Sequence, residues 1–537
     1  MKKLSRFTPA LPAIFALLLL VLPASGQDFA GRVLIIQGEY EGSTAAVRDM
    51  VPDYAAPMQH QILPLLHQHP VPFNFNPTAP FDAALQQVNG PLVATTSGLN
   101  ILGLGKGFTG YTICCVPPDT NAAVGATQVV ETVNLSFVIF SKSTGAKVAG
   151  PFLVSKLFSG AANSCASGAM TDPVVEYDRI NARWVITYAA ATSIPTSGPF
   201  LQCISVSTSS DATGSYHSYS FDLTALGGFN DYGKLGIWTD AYYMSFNEFT
   251  TGGASLGAAP CALQGSAMRA GTPASAVCFQ PMSTQFTLLP AQIDGPNLPV
   301  TGEPEFYVGS LDGSSHIHLA RFHVNFSTPS LSTFKVLALT VAAYKEACSG
   351  GTCIPQPSGG ELLESGADRM MFRAAYRKFT GTGAHESIVT NHTVVAGSAS
   401  GVRWYEIRNP NGTTPTIFQQ GTFAPADGKF RWMGSIGMDK NGDIALGYSV
   451  SSASLDPSIR YTGRLPTDPA GTMEAEKSIV TGTGVQSSSG HRWGDYSSMA
   501  IDPGDDCTFW YTQEYIKTGG SFSWSTRLAS FHFNTCP

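Results

Sequence analysis

Two stretches near the C-terminal end of the chain say nearly the same thing. Ser435-Ile436-Gly437-Met438-Asp439, a turn Lys440-Asn441-Gly442-Asp443, then Ile444-Ala445-Leu446-Gly447-Tyr448 lie without a gap over Ser498-Met499-Ala500-Ile501-Asp502, Pro503-Gly504-Asp505-Asp506 and Cys507-Thr508-Phe509-Trp510-Tyr511. Each reads as strand, turn, strand, and Arg431-Trp432 precedes one as Arg492-Trp493 precedes the other. Self-similarity at a fixed spacing marks a repeat architecture. The same turn aspartate recurs as Asp178, before Arg183-Trp184-Val185-Ile186, and as Asp240, before Tyr242-Tyr243-Met244. Between Asp240 and Asp439 two degenerate copies fit, at Glu305 to Gly309 with Ile317 to Leu319, and at Met370 to Tyr376 with Ser387 to Thr390. Val124 to Val133 supplies one more at the front. Antiparallel leaves repeated around an axis keep their edges short and protected, so the chain reads as an all-β protein, a β-propeller of seven blades with six as the alternative.

At 537 residues the chain exceeds one ordinary core, but repeat folds grow by adding sheets that touch only their neighbours. Its 55 Gly and 35 Pro suit many turns, and no long stretch shows helical periodicity with caps. Lys2, Lys3 and Arg6, the apolar run Leu11 to Leu22 and Ala24-Ser25-Gly26 read as a signal peptide over 1–26, with export to an extracellular or periplasmic location. Residues 27–96, rich in Gln, His, Pro and Ala, carry no repeat and read as a short N-terminal arm, partly helical, ahead of a propeller over 97–537. Long loops are expected at 248–302 and 343–366. No later run reaches the roughly 20 apolar residues of a membrane helix. The net charge, −7 and more negative without the leader's cations, argues against nucleic acid as a partner. A monomer is expected.

Ten cysteines in an exported chain are read as disulfides. Close spacing suggests Cys348 with Cys353 and Cys261 with Cys278, Cys507 with Cys536 would tie the last repeat to the terminus, and Cys114-Cys115 admits a vicinal bridge.

Pro117-Pro118-Asp119-Thr120-Asn121-Ala122-Ala123-Val124-Gly125, Asp172-Pro173-Val174-Val175, Asp231-Tyr232-Gly233-Lys234-Leu235-Gly236-Ile237-Trp238 and Arg492-Trp493-Gly494-Asp495-Tyr496-Ser497 resemble a family of uncharacterised secreted bacterial β-propellers, distantly sialidase-like in architecture. The resemblance runs over about 100–537. It implies export and supplies no activity, since fold alone does not fix function.

Several repeats open on an acid: Asp172, Asp231, Asp368 and Asp495, with Asp119 less regular. The first strands of a propeller surround one axis, so these carboxylates are expected to gather at a channel mouth. There they would raise one another's pKa or recruit Ca²⁺ or an arginine. The structural alternative is that each accepts backbone N–H groups at its own strand start. Tyr232, Trp238, Trp432, Trp493 and Tyr496 lie nearby in sequence, and flat rings beside acids suit a sugar; the alternative is that the tryptophans fill space between sheets. Arg369, Arg373 and Arg377 share one side of a strand and could grip a carboxylate, or pair with the recurring aspartates and pin the blades.

The expected ligand is an extracellular glycan or other polymer. A glycoside hydrolase or lyase is the competing reading, with Asp495 as acid/base, Tyr496 or Glu514 as nucleophile or its partner, and Arg492 and Arg431 holding an acidic sugar. A structural surface protein is the third. The Ser-x-Asp-x-Gly turn of sialidases is only approached, by Ser310-Leu311-Asp312-Gly313. Gly253 to Gly257 and Gly105 to Gly110 spell nucleophile-elbow and dinucleotide patterns outside the contexts these need. His316 with His318 is too few for a closed zinc site, and no residue set is assigned to a metal.

Overall fold

The computed structural model describes residues 27–28, 31–53, 60–75, 81–310 and 315–536. The signal-peptide reading and Leu311 to Gly313 lie outside the described residues. Four-stranded antiparallel meanders follow one another along the chain. Their first strands are Asn121–Val124, Ala169–Asp178, Phe229–Ile237, Leu289–Asp294, Met370–Phe379, Phe430–Met438 and Ser498–Ile501. They open units 1 to 7 in that order. Each first strand touches the next, and that of unit 7 touches that of unit 1, which closes the circle. The fold is therefore an all-β propeller, as the repeats imply.

Unit 7 is completed from the other end of the chain. Its strands Phe509–Ile516 and Trp524–Phe533 are followed, on the outside, by Thr95–Gly105, which pairs antiparallel with Trp524–Phe533. Such a closure leaves no open edge between the first and last sheets.

The turn aspartates recur because each answers the amides of its own hairpin. Asp178 Oδ1 accepts from Ile180 N and Asn181 N at 3.0 and 2.9 Å, Asp439 Oδ1 from Asn441 N and Asp443 N at 2.8 and 3.0 Å, and Asp502 Oδ1 from Gly504 N at 2.8 Å. A short oxygen-bearing side chain is what such a turn selects.

Three expectations need correction. Glu305–Ser310 and His316–His323 are the second and third strands of unit 4, not its first hairpin; the first strand is Leu289–Asp294, where Pro290 and short length hide the pattern. The stretch 248–302 is not one loop, since it holds the outer strands Ser255–Leu263 and Ala274–Phe279 of unit 3 and that first strand of unit 4. The described part of 27–96 contains one three-residue helical turn, Val47–Asp49, and is otherwise extended.

Those extended pieces cover sheet edges. Val33–Ser43 pairs on one side with Tyr216–Asp222, the outermost strand of unit 2, and on the other with Ala274–Phe279 of unit 3, which fuses the two units into one sheet. Gln27–Asp28 pairs with Thr333–Thr340 of unit 4, and Leu85–Gln86 with Thr416–Phe423 of unit 5. Unpaired outer strands invite association, and covering them removes that hazard.

All ten cysteines are paired: Cys114 with Cys115, Cys165 with Cys203, Cys261 with Cys278, Cys348 with Cys353 and Cys507 with Cys536. That usage fits an oxidising compartment. Among the described residues no helix is long and apolar enough to cross a membrane.

Candidate functional site at the axial mouth

The first strands reach the axis through a shared irregularity. Pairing to the second strand shifts between Thr171 and Val174, Asp231 and Lys234, and Trp432 and Ser435. Such bulges re-aim the side chains around them. The residue two positions before pairing resumes has left-handed backbone, with φ of 56° at Asp172, 55° at Tyr232 and 51° at Met433. By this count Asp172 corresponds to Tyr232, whereas Asp231 stands one residue earlier. The acids are therefore not strict equivalents, although they meet.

One carboxylate oxygen from each of Asp119, Asp172 and Asp495 lies within 4.8 Å of the others, all three side chains buried. Several of their other bonds cross unit boundaries. Asp495 N donates to Asp119 Oδ1 at 2.7 Å, Tyr232 N donates to Asp172 Oδ2 at 2.7 Å, and Asn134 Nδ2 donates to Asp119 Oδ2 at 2.6 Å. Asn134 Oδ1 in turn accepts from Asp172 N at 3.1 Å. The carboxylates thus both gather at the axis and accept backbone N–H groups, and those amides belong to neighbouring units rather than to their own.

The centre of this cluster is a residue the sequence did not single out. Lys234, 1% exposed, has its ammonium 3.5 Å from the centroid of the Tyr232 ring and 3.9 Å from that of Tyr496. Burial pulls its pKa down to about 8 against the opposing pull of Asp172, Asp119, Asp231 and Asp495. Burial likewise pushes the Asp119 and Asp231 carboxyls well above the usual range, helped in both cases by Asp172 and Asp495. A lone lysine in the run Gly233-Lys234-Leu235-Gly236-Ile237, inside a strand that is buried throughout, was the available signal. The Asp119, Asp172 and Asp495 oxygens are largely engaged by N–H donors and stand beside an ammonium. That donor set fits a lysine hub better than Ca²⁺, which takes about six to eight oxygen ligands.

Two arginines flank the hub. Arg492 Nη2 meets both oxygens of Asp495 at 2.8 and 3.0 Å, Nη1 pairs with Glu364, and Nε donates to the Leu63 carbonyl at 2.7 Å. Arg369 binds Asp368 through Nε at 2.8 Å and Nη2 at 3.2 Å, and Nη2 also donates to the Leu66 carbonyl at 2.7 Å. Burial raises the Asp368 carboxyl, but Arg369 and His67 outweigh it and hold it far below the usual range. His67 Nδ1 lies 2.8 Å from Asp368 Oδ2, and His69 Nε2 3.4 Å from Glu346 Oε2. The Glu346 carboxylate beside it lifts His69 to about 9. With Gln61–Ile62 paired in parallel to Cys115–Val116, residues 61–69 form an extended run across the mouth.

The remaining candidates are placed elsewhere or inward. Arg373 forks onto Asp294 at 3.0 and 2.7 Å, and Arg377 Nε donates to the Met438 carbonyl at 2.9 Å, so the three arginines of that strand do not converge on one ligand. Side chains four residues apart on a strand are separated by about 13 Å, and each finds its own partner. Arg431 is fixed by Asp427 and Glu476 within unit 6. Trp238 packs against Phe306 and Tyr376, and Trp432 against Trp493, with ring centroids 5.5, 4.8 and 5.4 Å apart. All three tryptophans are buried, which leaves no face for a sugar and corrects that expectation. Glu514 Oε2 accepts from Gly494 N at 2.8 Å, and burial raises its carboxyl well above the usual range. Tyr496 Oη donates to the Pro173 carbonyl at 3.2 Å. Asp495, Arg492, Tyr496 and Glu514 therefore share one neighbourhood, beneath the run 61–69.

No family model and no curated protein matches the chain. Among solved structures, an ulvan lyase of a polysaccharide lyase family is similar at 12% identity over 81% of this chain and 97% of that one, with a TM-score of 0.34. An exo-β-1,3-galactanase from Clostridium thermocellum is similar at 9% identity over 78% and 82%, TM-score 0.31. The extracellular domains 1-2 of Drosophila Semaphorin 1b are similar at 8% identity over 84% and 89%, TM-score 0.31. Similarity at these scores carries no argument about the chemistry of this chain.

Proposed function

We propose that the chain is an exported, monomeric glycan- or polymer-binding propeller whose ligand lies across the axial mouth. One observation carries this reading: the mouth already grips an oxygen-bearing segment, its own residues 61–69, by the Arg492 and Arg369 bonds to two backbone carbonyls. Hydroxyl or carboxylate oxygens of a polymer at that spacing would take the same donors. Asp495 and Asp368 hold the two guanidinium planes in orientation, a geometry that favours planar acceptors. Lys234 anchors the carboxylates beneath.

The competing reading, a hydrolase or lyase at the same mouth, has less support. Both Asp495 oxygens are occupied by Arg492, and the Tyr496 hydroxyl donates to a backbone carbonyl. A general acid or nucleophile needs those atoms directed at substrate.

Arrays of neutral and acidic oligosaccharides and of extended polypeptides, probed with the wild type and with Arg369→Lys, test the proposal. Retention without release of reducing ends, weakened by Arg369→Lys at unchanged melting temperature, is expected. Release of reducing ends that the substitution abolishes would establish the enzyme instead, and no retention on any array would leave a structural role.

A further inference from the structure

At the opposite ends of the first strands of units 5 and 6, after Phe379 and Met438, a cleft of about 590 Å³ including its open mouth separates the two sheets. Phe379, His385, Arg408, Phe418, Arg464 and Asp468 line it. No residue of the axial hub takes part.

The charges here are unevenly answered. Glu406 is saturated: it accepts from Ser387 Oγ at 2.8 Å, Arg408 Nε at 2.6 Å and Gln419 Nε2 at 2.6 Å. Asp468 Oδ2 accepts from Leu465 N at 2.7 Å. The guanidinium groups are not saturated. Arg408 uses only Nε, and its two terminal nitrogens have no acceptor among the described residues. Arg464, 3% exposed, donates Nε to the Thr472 carbonyl and Nη2 to the Asp468 carbonyl, at 3.1 and 2.9 Å, and its Nη1 has no acceptor among the described residues. Burial lowers the Arg464 pKa, Asp468 and Glu406 oppose that, and the nearby charge of Arg408 adds to the lowering, so an anion on the unanswered terminal nitrogens would relieve the repulsion between the two guanidinium groups.

The walls are aromatic. The Arg408 guanidinium carbon lies 3.3 Å from the Phe418 ring centroid, and Phe418 is 50% exposed. His385 stacks on Phe379 at 4.6 Å and 18°. Stacked, preoriented guanidinium forks match a planar carboxylate, and ring faces match the C–H face of a sugar.

We infer that this cleft is a binding subsite for a carboxylate-bearing saccharide, a uronic acid unit whose carboxylate takes the terminal nitrogens of Arg408 and Arg464 and whose ring lies against the aromatic walls. The inference goes beyond the mouth and shares no residue with it.

Calorimetric titration of the full chain with trigalacturonate and with neutral galactotriose, at low and high salt, tests this. The acidic trisaccharide is expected to bind at least about tenfold more tightly, with the advantage shrinking in high salt. Arg408→Gln and Phe418→Ala, both at partly exposed positions, are expected to weaken trigalacturonate about tenfold or more at unchanged melting temperature. The loss in Arg408→Gln is expected in the Arg369→Lys background as well, which separates this cleft from the mouth. Equal affinity for both sugars, no binding of trigalacturonate, or full affinity in folded Arg408→Gln would each overturn the inference.

Discussion

The ammonium of Lys234 lies 3.5 Å from the centre of the Tyr232 ring. A cation on a desolvated ring face is held by the ring quadrupole, and here the same ammonium also balances the acids that units 1, 2, 3 and 7 send to the axis. Charge balance at the centre of the circle is therefore shared between this side chain and the flanking Arg369 and Arg492.

Lys234→Met should expose that dependence. The variant removes the ammonium set against Asp119, Asp172, Asp231 and Asp495, and removing one partner of a buried ionic cluster costs roughly 3–5 kcal/mol. Asp119 and Asp231, already raised by burial and by their acidic neighbours, would be raised further, so the deficit should grow as pH rises. Denaturant unfolding at two pH values measures both.

A second prediction concerns Glu131, a buried acid in unit 1 that accepts from Leu104 N at 2.9 Å and Thr526 Oγ1 at 2.6 Å on the closing strand and its partner. Burial raises its pKa from 4.5 to about 7. A carboxyl raised in the folded state favours folding below its unfolded pKa, and that contribution is lost as pH rises through the folded value. Stability from this group is thus full below about pH 4.5 and gone above about pH 7. Glu131→Gln lacks the loss, so it should melt higher than the wild type at pH 8.5, by up to about 3 kcal/mol, and no higher at pH 4.5.

A third concerns the run across the mouth. His69 is raised to about 9 through Glu346, so its contribution is full below about pH 6.5 and falls away as pH passes 9. The imidazole is about one-third exposed, which limits the effect to about 1 kcal/mol or less. Proteolytic nicking within 61–69 should accelerate in the wild type through that window. His69→Ala should be nicked at the fast rate already at neutral pH.

How much of this was legible follows from the range of the interactions. The hairpins at Asp178, Asp439 and Asp502 could be read because each aspartate bonds amides two to four residues away. The first strand of unit 4 escapes notice because it is a six-residue stretch interrupted by Pro290. The role of 27–96 was not readable: pieces such as Leu85–Gln86 carry no pattern of their own and are strands only because Thr416–Phe423 presents an edge. Symmetry leads one to expect Asp172, Asp231, Asp368 and Asp495 together at the axis; the oxygens that meet are those of Asp119, Asp172 and Asp495, while Asp368 is held to one side by Arg369 and His67. The one-residue offset of Asp231, and Lys234 with Asn134 as the groups joining the acids, depend on bulges that spacing does not reveal.

The last prediction tests circular closure. Gly105 ends the strand that completes unit 7, opposite Ser525, with φ of 133°; a Cβ there would lie 2.6 Å from Ser525 Cα and 2.8 Å from the Trp524 carbonyl oxygen. Neither is a flexible side-chain tip, so Gly105→Ala must push the closing strand outward. Gly107, two residues on, also has positive φ, at 89°, but nothing within 4 Å of its added Cβ. Gly107→Ala therefore carries only the left-handed backbone penalty, about 1–2 kcal/mol. Gly105→Ala adds overpacking of about 1–3 kcal/mol to a similar penalty. If the closing strand holds the circle, Gly105→Ala alone should speed hydrogen exchange along both Thr95–Gly105 and Trp524–Phe533, while Gly107→Ala changes the melting temperature slightly and leaves those amides protected. Equal exchange in the two variants would mean that the outer strand is an accessory to a circle held elsewhere.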